Sequence, residues 1–458
     1  MRRYYQEQEG LSSKVHFSYM RYTRALMKKQ MSEDITLNKI VGGGQSLGTL
    51  ADGRKAFVWG GLPGEAVTID VTKKKSKFVE GIVTEVRTPT DERVTPRDPE
   101  SYLSTSPWQI MRFDAEGHYK AALIEEAFEL HDIVLPKAIE VYTDGTEYGY
   151  RNKVEFSWWG DTDESGNETL DLAFFRRGGK GKVPVDGTSL ARTEINNLAQ
   201  AIRNLLHSKA IPARSLKTLL IRCDQKGNCV WQLYTKDKLK DVITADEADK
   251  LPAQGGEVIF SDPKSPASRI TKRMSAHGDV ILSDTILDVP FHYATEGFFQ
   301  VNIPVYEQAL RDMKEWVGDK PTIDMYSGVG TIGLTIGGED TTLIEVDENA
   351  VREMNRNIKE LQLNAQAVLA PSEKAIEHIT GDKTIIVDPP RAGMHADVIT
   401  RLLETKPARI IYLSCNPVTQ ARDVQMLGET YGIRYHRGYN FFPRTPHIEH
   451  LVILDLKR

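Results

Sequence analysis

Residues 322–334 read TIDMYSGVGTIGL. Thr322 to Tyr326 reads as a short strand, and it passes straight into Ser327-Gly328-Val329-Gly330 and then into a helix-like segment. Strand, glycine turn and helix in that order make the nucleotide-binding unit of a doubly wound sheet. Gly328 and Gly330 let the backbone turn sharply and approach a ligand with no Cβ in the way. A glycine turn alone is weak evidence. Reading outward, a second strand, TLIEVD, ends near Glu345, about twenty residues on, where a carboxylate can accept from two ribose hydroxyls. Two more strand-like runs, TIIVDPP and RIIYLSCNP, follow with helical segments between them. Upstream, Ile303, Tyr306, Leu310, Met313 and Val317 recur at helical spacing. The alternation predicts an α/β domain over 291–458.

Two strand exits carry chemistry. Asp388-Pro389-Pro390-Arg391 places an acidic residue before paired prolines, a stiff loop that fixes side chain and carbonyls for recognition of a nucleobase. Ser414-Cys415-Asn416-Pro417 places one of only three cysteines where a buried strand surfaces. Methylating an exocyclic nitrogen needs no thiol. Carbon 5 of a pyrimidine does, because a thiolate added at C6 turns the ring into an enolate that is nucleophilic at C5. The following helix N-terminus is expected to favour the Cys415 thiolate. A base must then remove the C5 proton, and Phe442-Pro443-Arg444-Thr445-Pro446-His447-Ile448-Glu449 offers Glu449 or His447.

The remainder bounds the rest. A chain of 458 residues exceeds one core, so two or three domains are expected. Three cysteines form no disulfide framework, which fits a reducing, cytoplasmic home, and no apolar run has membrane-spanning length. The net charge of −5 excludes a generally basic coat but not local basic patches. Residues 1–32 read as a basic flexible arm or an upstream extension before a more natural start at Met31. Glycine-punctuated β-runs over 33–92 suggest a small closed, oligonucleotide-binding barrel with a cationic loop at Thr72–Lys77. Pro89, Pro96 and Pro99 mark a boundary. The segment 100–290 reads as a central α+β domain, with a helix around 116–131, a strand in YGYRNKVEFSWW and a hairpin in LDLAFFRRGGKGKVPV. There Arg176, Arg177, Lys180 and Lys182 lie beside Phe174 and Phe175, a combination suited to gripping RNA. Cys223 and Cys229, with no further ligands at metal spacing, read as structural.

FFQVN at 298–302, DMYSGVGTIGL at 324–334, IEVD at 344–347, DPPRAG at 388–393, SCNP at 414–417 and FPRTPHIE at 442–449 occur in one order. With these motifs the chain resembles the RNA (uracil-5-)-methyltransferase family, whose catalytic domain has the Rossmann-like class I methyltransferase fold. The 33–92 barrel resembles the TRAM domain of longer members, and YRNKVEFS at 150–157 resembles their central domain.

That resemblance implies S-adenosylmethionine-dependent methylation of uridine C5 in structured RNA. It implies a cofactor site of Gln300, Tyr326, Gly328, Gly330, Thr331, Glu345 and Asp388, with Cys415 as nucleophile and Glu449, rather than His447, as base. Asp388 would also meet the uracil N3–H, and Arg391, Arg176 and Arg177 would contact RNA. The added barrel is more typical of the ribosomal-RNA members, so 23S rRNA is the expected substrate, with tRNA as the alternative and a monomer as the default state. Many relatives hold an iron–sulfur cluster with cysteines just after the barrel. Here Ser101–Met111 contains none, so no cluster and no other metal is expected, and Trp108 and Met111 are expected to pack in its place. Two rival readings are a base amino-methyltransferase that uses DPPR without covalent catalysis, and an RNA-binding protein with a vestigial catalytic domain.

Overall fold

The computed structural model describes residues 32–162, 166 and 168–458; the basic arm expected over 1–32 lies outside them apart from Ser32. The described chain divides into two compact units, residues up to 39 with 45–91, and 40–44 with 92–458.

In the first unit, short alternating runs form five strands: β1 (Ser32–Ile40), β2 (Ser46–Thr49), β3 (Lys55–Trp59), β4 (Ala66–Lys74) and β5 (Phe78–Thr88). They close into a barrel in the order β1-β2-β3-β5-β4. Alternate residues point inward, so Ile35, Leu37, Ala56, Val58, Val67, Ile69 and Val79 fill the interior. Gly48 is required here, since a Cβ would come within 2.5 Å of Ile35 Cδ1. The cationic loop joins β4 to β5, and Lys73 pairs with Glu80 at 2.6 Å.

The second unit holds two large sheets. β6 (Val141–Tyr142) belongs to the later one. β7 (Lys153–Trp159), β8 (Asp171–Phe175), β9 (Lys182–Val185), β10 (Leu216–Cys223), β11 (Cys229–Thr235), β12 (Gly255–Phe260) and β13 (Lys272–Gly278) form a seven-stranded sheet in the order β13-β12-β11-β10-β7-β8-β9. The helix Thr193–Ser208 lays Ile195, Leu198, Ala199, Ile202 and Leu206 on it, each at helical spacing and each fully buried. Cys223 and Cys229 face each other in register within this core. The LDLAFF…VPV segment is the β8–β9 hairpin.

After the hairpin of β14 (Ile281–Ile286) and β15 (Val289–Ala294) come β16 (Thr322–Met325), β17 (Thr341–Glu345), β18 (Ala365–Leu369), β19 (Thr384–Val387), β20 (Arg409–Ser414), β21 (Tyr431–Tyr439) and β22 (Glu449–Leu456). With β6 they make an eight-stranded sheet, ordered β18-β17-β16-β19-β20-β22-β21-β6. β16 to β20 are parallel, and β22 enters antiparallel beside β20. β16, β19 and β20 are buried along nearly their whole length, as expected of parallel strands covered on both faces, whereas the edge strand β18 is partly exposed. Strand order reverses between β16 and β19, and ligands of such sheets bind where that crevice opens at the strands' carboxyl ends. Thus β6, inside the 100–290 segment, completes the edge of the later sheet, and the helix Phe113–Glu129 packs against the helix Pro417–Leu427.

A thiolate-held cluster does not fit the segment after the barrel. Trp108, Ile110 and Met111 are buried, and the donors around them are oxygens and an amide. Gln109 Nε2 donates to Ser106 Oγ at 2.6 Å and to Asp98 Oδ2 at 3.2 Å, while Thr188 Oγ1 and the Ser189 amide also donate to Asp98. Hydrogen bonds and apolar packing hold this turn. Among the described residues no helix is long and apolar enough to cross a membrane.

Candidate active site

The glycine turn is built by strain and tied down on both sides. Tyr326, leaving β16, has φ +64°, rare for a residue with a Cβ. Its phenol oxygen accepts from Ser372 Oγ at 3.0 Å and from the His395 amide at 3.3 Å. Ser327 Oγ donates to the Asp324 carbonyl at 2.6 Å and the Ile344 carbonyl at 3.2 Å, joining the turn to two strands. Gly328 and Gly330 have φ of +58° and +88°. A Cβ on Gly328 would meet nothing within 4 Å, so open space lies over the turn; one on Gly330 would come to 3.0 Å from Leu334 and Met354. The first glycine serves access, the second packing.

Glu345, Thr331 and Asp388, three of the residues expected to bind a cofactor, border that turn. Glu345, at the end of β17, accepts from the amides of Gly328 (2.9 Å), Val346 (2.8 Å) and Asp347 (2.8 Å), which fixes its carboxylate and leaves lone pairs for hydroxyl donors. Thr331 opens the next helix, with Oγ1 2.8 Å from the Tyr306 hydroxyl. Gln300 is buried, and its carbonyl accepts from Asn152 Nδ2 at 2.9 Å. Asp388 follows β19 directly. The register pairs Met325 with Val387, so Tyr326 and Asp388 emerge side by side at the reversal point.

The reactive residues meet through sheet register. The last pair of β20 and β22 is Ser414 with His450, so Cys415 and Glu449 follow as the next opposed positions. Asn416 caps the helix Pro417–Leu427, and its Nδ2 donates to the Arg391 carbonyl at 2.8 Å; Thr419 Oγ1 donates to the same carbonyl at 3.1 Å. The DPPR loop is thereby fastened to the SCNP turn.

Electrostatics at this point run against one sequence expectation. Burial, then the charges of Glu449 and Asp388, push the Cys415 thiol up to about 12, and only Arg391 and a backbone hydrogen bond pull the other way. The nearby helix N-terminus does not prevail, because two carboxylates and desolvation outweigh it. Burial pushes Asp388 up to about 7 and raises Glu449 well above the usual carboxylate range, Glu449 being further raised by Asp388. The two carboxylates thus compete for ionisation, and either is a stronger base than an exposed one. His447 behaves oppositely. Burial and then Arg391, Lys120, Arg151 and Arg177 push it down to about 4, although part of its ring reaches solvent. So weak a base is the poorer candidate for proton removal.

The loop that delivers Glu449 is anchored on a buried ion pair that sequence reading missed. Glu116 and Lys120 are both fully buried, 2.9 Å apart. Lys120 Nζ also donates to Asn440 Oδ1 at 2.5 Å and the Phe442 carbonyl at 3.1 Å, and Glu116 accepts from Asn440 Nδ2 at 2.9 Å and the Arg444 amide at 3.0 Å. Arg444, at φ +65°, donates to the Met111 carbonyl at 2.6 Å and pairs with Glu147. In sequence, Glu116 and Lys120 look like an ordinary i,i+4 surface pair. Lys120→Met leaves the Glu116 charge without its ammonium partner and is expected to lower stability by about 3–5 kcal/mol. Urea unfolding of the two proteins measures this, and a change within experimental error would show that the pair is not holding the loop.

Arg176 is exposed, whereas Arg177 is half-buried with Nε bonded to the Leu103 carbonyl. Arg391 Nη2 lies 3.3 Å from His447 Nδ1. Arg151, in the YRNK stretch, escaped notice as a charge near the site. Phe175 is 65% exposed, and Lys182 Nζ sits 5.2 Å from its ring centroid.

Residues 377–457, which include Asp388, Cys415 and Glu449, match the tRNA (Uracil-5-)-methyltransferase family model. An uncharacterized RNA methyltransferase of Nitratidesulfovibrio vulgaris is 26% identical, covering 93% of this chain and 96% of its own. Another, of Lactobacillus johnsonii, is 28% identical over 88% and 94%. The crystal structure of Pyrococcus abyssi tRNA (uracil-54, C5)-methyltransferase, in complex with S-adenosyl-L-homocysteine, aligns with TM-score 0.75 at 22% identity, covering 92% of this chain and 99% of that one. By these likenesses the chain has the fold of a class I methyltransferase, and its residues 377–457 match the tRNA (Uracil-5-)-methyltransferase family model.

Proposed function

We propose that this protein methylates C5 of a uridine in structured RNA through a transient bond between Cys415 and C6. The convergence of Cys415, Glu449 and Asp388 at the carboxyl ends of the sheet carries the reading. The cofactor is S-adenosylmethionine, which supplies the methyl group when bound. The residues suit it: open space lies over Gly328, and Glu345 with its fixed carboxylate and Asp388 at its stiff strand exit flank the same turn.

The target base leaves its stack at a cost of a few kcal/mol, which loops in RNA reduce. Asp388 accepts from the uracil N3–H. The Cys415 thiol yields its proton to solvent, leaving the carboxylates ionised, and sulfur bonds to C6 while the C5–C6 π electrons become an enolate. C5 takes the methyl carbon of bound S-adenosylmethionine, whose bond to the sulfonium sulfur breaks, the electron pair staying on that sulfur. Glu449 then removes the C5 proton, the electrons restore the double bond, and the sulfur leaves and is reprotonated. Arg391 steadies the negative charge on sulfur and oxygen.

Positive charge around the mouth suits an RNA backbone. Arg391, Arg151 and Arg177 come from three separate parts of the chain, and all bear on His447. In a protein of net charge −5 that is a local concentration, of the kind that binds phosphate. Phe175 with Lys182 adds a stacking surface on the hairpin.

We assign 23S rRNA as the first substrate class, on the barrel. The second reading, tRNA, is favoured by the Pyrococcus abyssi enzyme. It aligns with 92% of this chain. Digestion of rRNA and tRNA from cells with and without the gene, with 5-methyluridine mapped by mass spectrometry, tests both. A 5-methyluridine missing from one position of 23S rRNA is expected. Loss from tRNA alone would select the second reading, and an unchanged map would remove the activity.

A further inference from the structure

Gln300 lies in a stretch, 295–302, that has neither helix nor strand, so its place depends on what holds its main chain. The hold comes from the central sheet. Asn152, the residue before β7, is 5% exposed and donates from Nδ2 to the Gln300 carbonyl at 2.9 Å. Its amide donates to the Val301 carbonyl at 3.3 Å, and its carbonyl accepts from the Cys223 amide at 2.8 Å, which ties it to β10. Lys153 Nζ donates to the Glu296 carbonyl at 3.2 Å, gripping the same stretch four residues earlier. The Asn152 side chain makes its one protein hydrogen bond to Gln300, and its Oδ1 is buried without a protein donor.

We infer that Asn152 is a positioning residue for the cofactor site, setting the Gln300 side chain by holding its carbonyl. The inference rests on the reading of Gln300 as a cofactor-binding residue. Through it, the sheet that bears the RNA-gripping hairpin is joined directly to the cofactor crevice.

The test is a double-mutant cycle on the full-length protein, with S-adenosylmethionine affinity read by calorimetry. Asn152→Ala is expected to weaken binding about 5- to 10-fold, the range of one neutral hydrogen bond, and to raise KM for the cofactor with kcat little changed. Affinity for total RNA from cells lacking the gene, and the melting temperature, should stay as in the parent. In a Gln300→Ala background, Asn152→Ala should have no further effect. An undiminished effect there, or none in the parent, overturns the inference. If Gln300→Ala itself leaves affinity intact, the reading of Gln300 fails instead. Should Asn152→Ala melt early, Asn152→Asp keeps the volume and removes the donor. It is expected to bind the cofactor at least as weakly, and parental affinity in that variant overturns the proposal equally.

Discussion

Cys415→Ala is expected to bring methyl transfer to RNA down to background, a loss of at least about 10⁴-fold, while S-adenosylmethionine binds within about twofold of the parent. The asymmetry follows from where the thiol sits. It leaves β20 opposite Glu449, whereas the Glu345 and Gly328 side of the crevice is built from β16 and β17. With the thiol pushed up by burial and by the two carboxylates, the resting sulfur is held protonated at pH 7. The same upward push makes the thiolate, once formed, a stronger nucleophile than an acidic thiol would provide. RNA carrying 5-fluorouridine gives the direct readout. Fluorine replaces the C5 proton, Glu449 has nothing to remove, and a stable protein–RNA adduct should appear on a denaturing gel and be absent with Cys415→Ala. Most activity surviving in the variant would favour a base amino-methyltransferase. A parent protein that binds no S-adenosylmethionine would favour a vestigial domain.

The parts of the fold that rest on local pattern were legible beforehand. The glycine turn, the helix Ile303–Val317 and the alternation that follows are set by backbone conformation and apolar spacing, which a sequence displays. The closed barrel and the β8–β9 hairpin were readable for the same reason. What depended on long-range packing was not. Nothing near Val141 announces a strand that completes a sheet nearly 300 residues later, at Gly438 and Tyr439. Glu116 and Lys120 are spaced as a solvated pair, and only the fold buries them beneath Asn440 and Arg444. The thiol was misjudged for a related reason. The helix that starts at Pro417 is a local feature, but the carboxylates of Asp388 and Glu449 that outweigh it arrive from other strands. Arg151 and Asn152 stood in a motif already noticed, YRNK, yet their partners, near His447 and at Gln300, could not be named from spacing.

Glu449→Gln should arrest the reaction after methyl transfer rather than before it. The amide keeps the volume of the buried side chain and cannot take the C5 proton, so sulfur stays bonded to C6. Turnover is expected to fall about 10²- to 10⁴-fold, the usual contribution of a positioned base. Meanwhile a methylated protein–RNA adduct should accumulate with ordinary uridine RNA, visible with a labelled methyl group. A variant that loses turnover without accumulating adduct would assign Glu449 to an earlier step. In the parent, activity should be lost as pH falls through about 7, because Asp388 and Glu449, both raised by burial, must give up protons to act as acceptor and base. The sign is set by the carboxylates: the working form is the ionised one, present above each pKa. Removing the like charge with Asp388→Asn relieves the repulsion that holds the Glu449 carboxyl high. The rate then drops because the uracil contact is altered, but the acid limb of the remaining activity should move to lower pH. Single-turnover rates across pH 5–9 read the shift, and a limb that stays in place would mean the two carboxylates do not share one charge.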